Sequence, residues 1–300
     1  MPRISRASCR LWVAIAIAIA ASGLARPAAA AAADAAAAAD SDVVASDSLD
    51  DVRFTLGTFP WFGEFDGYIQ TSSNGAAGSS TPKRPTFDEL AVREVVVMDF
   101  VGTLEWRRET FIARARIMQP GASTVPDEGF VSDGQSFPEG VPVDTDTNFN
   151  QYLVAYGHDL RFGTLLVRPL VGVSIVNVRY RIEIADGFSA PGDPSVEYRV
   201  TRPAAQLGGD LVWRPGGRGA FSVAARGLYS LPIDGLAEVH EADFLARYDI
   251  FRDPRGLAHA TLFTGVGFQH TEYEDDDDPI PNRFVLDLAP MLTFGFELRF

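Results

Sequence analysis

Histidine is the side chain best suited to acid–base chemistry near neutral pH, and this chain has four: His158, His240, His259 and His270. No two of them stand at a spacing typical of metal ligands. His158 is followed by Asp159 and His240 by Glu241, but adjacent residues of a strand point to opposite faces, which weakens both pairs. His270 has Glu272 two positions later, on the same face of a strand. This pair is the basis of a less favoured alternative in which the protein is an enzyme.

A run of acidic residues, Glu274 to Asp278, contains the oxygen ligands that Ca²⁺ prefers. The run lacks the spacing of a dedicated calcium loop, and Pro279 and Pro281 stiffen its exit. We therefore expect a solvated loop and no metal site. The glycine-rich stretches 208–209 and 216–219 lack a following helix and a P-loop lysine, which is typical of strand and turn glycines. No cofactor is predicted.

Cysteine usage and charge exclude further functions. Cys9 is the only cysteine, and cleavage of an N-terminal signal would remove it, leaving no disulfide, thiolate metal site or cysteine nucleophile. The formal net charge is −14, and loss of Arg3, Arg6 and Arg10 makes it about −17. Such acidity argues against binding of nucleic acid, because phosphate contacts need lysine and arginine.

The first 25 residues predict a secretory signal, with a basic start, an apolar stretch from Leu11 to Ala21 and a small-residue cleavage site. Cleavage within the run Ala28–Ala33 is equally compatible. Residues 26–51 are rich in alanine and aspartate, and we expect a flexible periplasmic lead. The apolar stretch is too short for a membrane-spanning helix, and no later segment supplies about 18 uninterrupted apolar residues.

From Val52 to Phe300 the sequence alternates between apolar and polar residues. In the last segment one parity, interrupted only by Pro290, carries Phe284, Leu286, Leu288, Leu292, Phe294, Phe296, Leu298 and Phe300. A period of two makes one strand face apolar and the other polar, as a strand between lipid and a wet lumen requires. A membrane protein without helical spans must close into a barrel, since lipid offers its backbone polar groups no partner.

The alternation and its breaks predict an all-β, antiparallel, up-and-down transmembrane barrel of about ten strands, with eight or twelve as alternatives. The predicted strands are Val52–Gln70, Val95–Trp106, Thr110–Met118, Asn148–Leu160, Thr164–Ile184, Val196–Trp213, Ala220–Leu231, Ala237–Phe251, Ala258–Tyr273 and a last strand that runs to Phe300. Short and long connections alternate, as expected for periplasmic turns and outer loops. Outward aromatic residues near strand ends predict interfacial girdles: Trp106, Tyr152, Trp213, Tyr248 and Phe300.

The inward parity predicts the charged residues of the lumen: Asp99, Glu105, Arg114, Arg116, Arg168, Arg202, Asp210, Arg226, Glu241, Asp243, Arg247, Asp249, Asp287, Glu297 and Arg299. The two signs nearly balance. A barrel of about ten strands is narrow enough for side chains to fill, so we expect bidentate ion pairs and an occluded lumen. The alternative is a narrow channel or small-solute transporter, with Arg114, Arg116, Asp243 and Arg247 at a constriction.

The last eight residues, 293–300, place a polar residue first, glycine third, an apolar residue sixth and an aromatic residue eighth: Thr293, Gly295, Leu298 and Phe300. This pattern resembles the C-terminal assembly signal of Gram-negative outer-membrane β-barrel proteins, and the resemblance covers roughly residues 52–300. It implies a location in the outer membrane, contact with its lipids and insertion by the barrel-assembly machinery, which would read these residues. It identifies no subfamily.

Two classes of enzyme occur among such barrels, and each has a characteristic arrangement of a histidine with its partner residues. Outer-membrane lipid hydrolases place a histidine and a serine two apart on one strand face, and no histidine here has that serine. Outer-membrane proteases use acidic pairs and a histidine at the outer rim, which His270 with Glu272 or Asp275 could imitate. We therefore expect a non-enzymatic protein with a structural or surface-interacting role, in which the outer loops vary and hold any ligand. The segment Phe87–Leu90 is predicted to anchor the first outer loop, or to form a short helix over the barrel mouth.

Overall fold

The computed structural model describes residues 52–70, 85–215, 220–252, 258–274 and 283–300. The predicted signal at residues 1–25, the lead at residues 26–51, the glycines 216–219 and the acidic run beyond Glu274 lie outside these residues. Among the described residues, no helix is long and apolar enough to cross a membrane. The described chain forms fourteen strands: β1 Val52–Gln70, β2 Glu94–Trp106, β3 Glu109–Met118, β4 Gly121–Thr124, β5 Phe130–Ser132, β6 Gln135–Phe137, β7 Val143–His158, β8 Leu160–Phe162, β9 Leu165–Ile184, β10 Ser195–Trp213, β11 Phe221–Ser230, β12 Glu238–Arg252, β13 His259–Glu274 and β14 Arg283–Arg299.

The strands close into one antiparallel barrel. Neighbours along the ring follow the order β7-β3-β2-β1-β14-β13-β12-β11-β10-β9, and β9 pairs again with β7. The first and last strands meet through paired backbone bonds between Phe54 and Phe300, of 3.1 and 2.8 Å. The short strands β4 and β8 lengthen the sheet beside β7 and β9, and β5 and β6 form a separate hairpin. The predicted closed antiparallel barrel of ten strands is confirmed.

An exposed apolar band surrounds one zone of the barrel. Outward side chains such as Phe100, Ile175 and Phe294 are exposed, and so are the predicted girdle residues Trp106, Tyr152, Trp213, Tyr248 and Phe300. A continuous apolar surface of this kind suits contact with acyl chains. Going away from the chain termini, the band gives way on successive strands to polar outward residues: Glu64, Glu94, Asn150, Asn177, Thr201, His240, His270 and Asp287.

Beyond these residues the strands continue into a second zone, here called the extension. Its outer face is polar, with residues such as Asn148, Arg179 and Arg199, and its interior is a hydrophobic core. Core residues include Phe65, Ile69, Phe149, Val178, Tyr180, Ile182, Val196, Phe284 and Leu286. In the band, apolar groups face outward; in the extension they face inward, as water on the outside of a sheet dictates.

Strand β14 reverses its faces where the two zones meet. Pairing with β1 passes from Gly63↔Met291 to Phe65↔Leu288, and pairing with β13 shifts at the same place, so β14 holds an extra residue at Ala289–Pro290. One extra residue in a strand reverses the alternation of side chains. The prediction that Phe284, Leu286 and Leu288 share the outward face of Phe294 is therefore wrong, because all three are buried in the core of the extension.

The predicted strand from Asn148 begins five residues earlier in the structure, at Val143, and the predicted loop before it contains β4 and the hairpin β5–β6. Residues 143–149 alternate buried Val143, Thr145, Thr147 and Phe149 with polar Asp144 and Asp146. This is a strand whose outer face meets water, and its polar composition is what made it resemble a loop.

Candidate functional site in the barrel lumen

A layer of buried ion pairs occupies the middle of the lumen. Arg116 donates from Nε to Asp99 Oδ1 and from a terminal nitrogen to Asp99 Oδ2, both at 2.8 Å. The indole of Trp61 donates to the same carboxylate at 2.9 Å. All three side chains are buried. This is the bidentate, charge-assisted geometry that gives the strongest ion pairs.

A second pair in this layer crosses the whole lumen. Arg114 on β3 donates to Glu241 on β12, and these two strands lie five positions apart in either direction around the ring. Gln151 Nε2 donates to the other oxygen of Glu241 at 2.6 Å, and Gln269 donates to Gln151 at 3.1 Å. Side chains from opposite walls therefore make direct hydrogen bonds across the lumen at this level.

A third cluster lies nearer the end that carries the chain termini. Arg168 donates to Asp159 at 2.6 Å, to Glu105 at 3.1 Å and to Asp210 at 3.4 Å. Arg226 donates two hydrogen bonds to Asp210, of 2.6 and 3.0 Å. These residues come from five different segments of the wall, so the cluster ties together strands that are distant in sequence.

A polar cavity of about 180 Å³ reaches from these clusters toward the end of the barrel that carries Val52 and Phe300. Its walls contain the ion pair of Arg247 with Glu297 and that of Arg299 with Glu105. Asp249 accepts from Thr261 and from Arg252, each at 2.8 Å. Asp243 also lines this cavity and is largely buried. The cavity is polar and large enough to hold water.

Two residues predicted for the lumen lie outside the ion-paired clusters. Arg202 faces inward, but within the extension, where its guanidinium lies 4.7 Å from the ring centroid of Tyr273. The prediction for Asp287 is wrong, because the extra residue in β14 turns its side chain to the outer face. There Asp287 Oδ1 lies 2.6 Å from His270 Nδ1.

His270 is held between two carboxylates just beyond the apolar band. Its Nδ1 contacts Asp287, and its Nε2 lies 3.5 Å from Glu272 Oε2. Burial lowers the pKa of His270, but hydrogen bonds to Asp287 and Glu272 outweigh it and raise this pKa to about 9. The imidazole is thus a cation at neutral pH, with both nitrogens engaged, which suits an ion pair better than a general base.

The other histidines offer no metal centre. His240 stacks between Tyr229 and His270, with ring centroids 4.3 and 5.8 Å away, and His158 contacts Glu109 near the terminal end at 3.1 Å. Within the described ranges, no group of three or more His, Cys, Asp or Glu residues could hold a metal ion.

Two inserted segments fill the lumen of the extension. The segment 85–93 forms a turn rather than a helix: Phe87 N donates to Gly67 O at 3.1 Å, and the Phe87 ring packs edge-on against Phe65 at 4.4 Å. Phe87 and Leu90 are fully buried. The sequence analysis does not predict the hairpin β5–β6. Its two aromatic residues, Phe130 and Phe137, could have indicated it, because they stack with ring centroids 4.8 Å apart.

The C-terminal residues have distinct places in the wall. Leu298 and Phe300 face outward and are exposed, whereas Thr293 is buried and donates to Pro60 O at 2.7 Å. Gly295 faces inward, where a Cβ would lie 2.5 Å from Phe59 Cβ and 2.8 Å from Phe263 Cζ. Only glycine fits between these two aromatic residues.

No protein-family model matches the chain, and no curated protein matches it. Among solved structures it is similar to the outer membrane protease OmpT from Escherichia coli, at 7% identity over 86% of this chain and 99% of that chain, with a TM-score of 0.42. It is also similar to the transport unit of the autotransporter AIDA-I from Escherichia coli (8% identity, 90% and 95% covered, TM-score 0.35). A third is Ail, the attachment invasion locus protein of Yersinia pestis (10% identity, 82% and 99% covered, TM-score 0.30). The chain resembles Gram-negative outer-membrane β-barrels, and at these identities the likeness concerns the fold alone.

Proposed function

We propose that the chain is a non-enzymatic outer-membrane protein with an occluded lumen and a structural or surface-interacting role. The contact of Arg114 with Glu241 from opposite walls carries this proposal. The core of the extension closes the same lumen a second time, with Phe87 and Leu90 at its centre. A barrel closed by both ion pairs and apolar packing is built to be stable and to present a surface.

The orientation follows from the two zones. The apolar band would lie in the outer membrane after export, with the chain termini on the periplasmic side and the extension outside the cell. The assembly machinery would read Gly295, Leu298 and Phe300, of which the latter two are exposed on the outward face. The polar outer face of the extension is then the surface available to other molecules.

Planar-bilayer recording tests the closed lumen. We expect the purified protein to give no discrete current steps under conditions in which a general porin conducts. Insertion would be verified by the shift in gel mobility between heated and unheated samples. Discrete steps from the wild-type protein would contradict the proposal.

The cavity on the terminal side favours a second candidate, a narrow channel or small-solute transporter. Arg114, Asp243 and Arg247 line this cavity, and Arg116 is buried beside it in its ion pair with Asp99. In a channel, Arg116→Gln would change the ion selectivity of the current steps. Steps whose selectivity responds to this substitution would favour the channel over the structural role.

The enzymatic alternative rests on His270, whose two nitrogens already contact carboxylates. We expect no turnover of lipid or peptide substrates by the purified protein. Turnover that disappears in His270→Ala, with the barrel still folded by gel mobility, would show that the protein is a hydrolase.

A further inference from the structure

Among the described residues, strand β10 has one long backbone edge that pairs with no other strand in the extension. Its pairing with β9 runs the whole length from Ser195 to Trp213. Its pairing with β11 covers only Gln206 to Trp213. The part of β10 before Gln206 is therefore paired on one side only, as far as the described chain shows.

Two hydrogen bonds establish which backbone groups face this edge. Ala237 N donates to Pro203 O, and Leu231 N donates to Ala205 O, both at 2.9 Å. Both donors lie on the connection between β11 and β12, which is on the side of β10 away from β9. In an antiparallel ladder, alternate residues direct their N–H and C=O groups to the same side. The odd-numbered residues of β10 therefore direct theirs to the open edge.

The far end of the edge is capped by a side chain. Gln135 accepts from Ser195 N at 2.8 Å and donates to Ser195 O at 2.9 Å, so its amide takes the place of a neighbouring peptide group. Between this cap and Pro203, the N–H and C=O groups of Glu197, Arg199 and Thr201 point sideways in the plane of the sheet, away from β9. None of these six groups bonds to another backbone group of the described chain on this side. We call residues 197–201 the open edge.

The side chains of the open edge present two different faces. On the outer face, Glu197 lies 3.1 Å from both Arg179 and Arg199 and is exposed together with Arg199 and Thr201. On the inner face, Val196 and Val200 are buried. A strand added here would meet a negative and a positive charge two residues apart on one side and apolar packing on the other.

We propose that the open edge binds an extended segment of another polypeptide by antiparallel β-strand addition. The segment would carry an acidic residue opposite Arg199, a basic residue opposite Glu197 and β-branched apolar residues on its inner face. Backbone hydrogen bonds then supply affinity, and the cross-strand charges supply register. The proposal rests on the surface-interacting role and names its partner class.

A second copy of this chain is a poorer occupant. In one membrane both copies point the same way, so their β10 strands run in the same direction. Such strands offer only parallel pairing, which is less stable than antiparallel pairing. The charges at Glu197 and Arg199 also discourage uncontrolled pairing of edges between copies.

The test uses the full-length protein in lipid nanodiscs and a fluorescent peptide, acetyl-Thr-Val-Glu-Val-Lys-Val-amide, followed by fluorescence anisotropy. In antiparallel register its Glu lies opposite Arg199 and its Lys opposite Glu197. We expect saturable binding that falls at least tenfold when the Glu and Lys nitrogens are methylated, because these N–H groups face β10. Methylation of the first two valine nitrogens, which face away, is the matched control and should change affinity less than threefold.

A protein variant tests the register. Arg199→Glu should weaken binding of this peptide about tenfold, and a peptide with Lys in place of its Glu should recover it. The proposal is overturned if no saturable binding occurs, if both sets of N-methyl peptides bind alike, or if cross-linking shows the edge occupied by a second copy. The bilayer recording is independent of these results: current steps would refute the closed lumen without affecting the edge, and loss of peptide binding would leave the closed lumen intact.

Discussion

Replacing Arg116 by methionine should be among the most destabilising single changes in the barrel wall. The guanidinium and Asp99 are both buried, at 0% and 1% side-chain exposure, and share two hydrogen bonds of 2.8 Å. Methionine fills much of the arginine volume but leaves Asp99 with the Trp61 indole as its remaining partner in this contact. Breaking a buried pair from one side typically costs about 3–5 kcal/mol, since the other charge stays buried.

The matched control is the ion pair of Arg93 with Asp88, which is even shorter, at 2.6 Å, but 68% and 65% exposed. Water already solvates both of these groups, so Arg93→Met should cost about 0–1 kcal/mol. The two variants remove the same charge from the same kind of contact. They differ in burial.

Urea-induced unfolding in lipid vesicles, followed by tryptophan fluorescence, measures both free energies. The double variant Arg116→Met/Asp99→Leu, with the single variant Asp99→Leu, completes a double-mutant cycle. It should recover part of the loss, because the charge of Asp99 then no longer stays buried without Arg116. If Arg116→Met costs no more than Arg93→Met, the central layer is hydrated, which would contradict the proposed closed lumen.

Three further changes probe other parts of the structure. Gly295→Ala should impair folding, seen as loss of the heat-dependent gel shift, because its Cβ would approach Phe59 Cβ to 2.5 Å; Gly227→Ala, whose nearest atom would be 3.9 Å away, should fold normally. The His270 pKa is raised from 6.5 to about 9 in the folded protein, so its stabilisation is complete below about pH 6.5 and is lost as pH rises through about 9. Urea midpoints at pH 6 and pH 9.5 should therefore differ in the wild type and converge in His270→Gln; equal wild-type midpoints would contradict the ion-pair assignment. Phe87→Ala should destabilise by about 3–5 kcal/mol without producing current steps, and conductance in this variant would show that segment 85–93 alone closes the barrel.

The strand pattern was predictable because lipid imposes one rule over a long stretch of chain. Strand β1 matches its prediction at both ends, Val52 and Gln70, and β10 differs by one residue at its start. In both, side chains alternate between the inner and outer faces, although the apolar ones lie inside in the extension and outside in the band. The partners within the lumen were not predictable: Arg114 and Glu241 lie 127 residues apart in sequence. Their contact depends on strand order and stagger, which alternation does not specify.

The wrong predictions for the side-chain directions of β14 have one physical origin. Alternation identifies two faces of a strand but does not say which face meets water. In the band the apolar face is outward, and in the extension it is inward, so Phe284 and Phe294 occupy opposite sides although they share a parity. The Asp287 prediction failed for the same reason, because the extra residue at Ala289–Pro290 reverses the faces.

The exchange of faces also explains why two different kinds of packing fill the interior of the barrel. Inside the band, the polar inward face must satisfy its own charges, and a ten-stranded ring is narrow enough for Arg114 to reach Glu241 across it. In the extension, water on the outside leaves the interior to apolar groups, which segment 85–93 and hairpin β5–β6 complete. The packing inside the band depends on paired charges, and the core of the extension depends on the exclusion of water from apolar groups. On the proposed structural role, disrupting either one should leave the other in place, whereas a gated channel should open when its single constriction is disrupted.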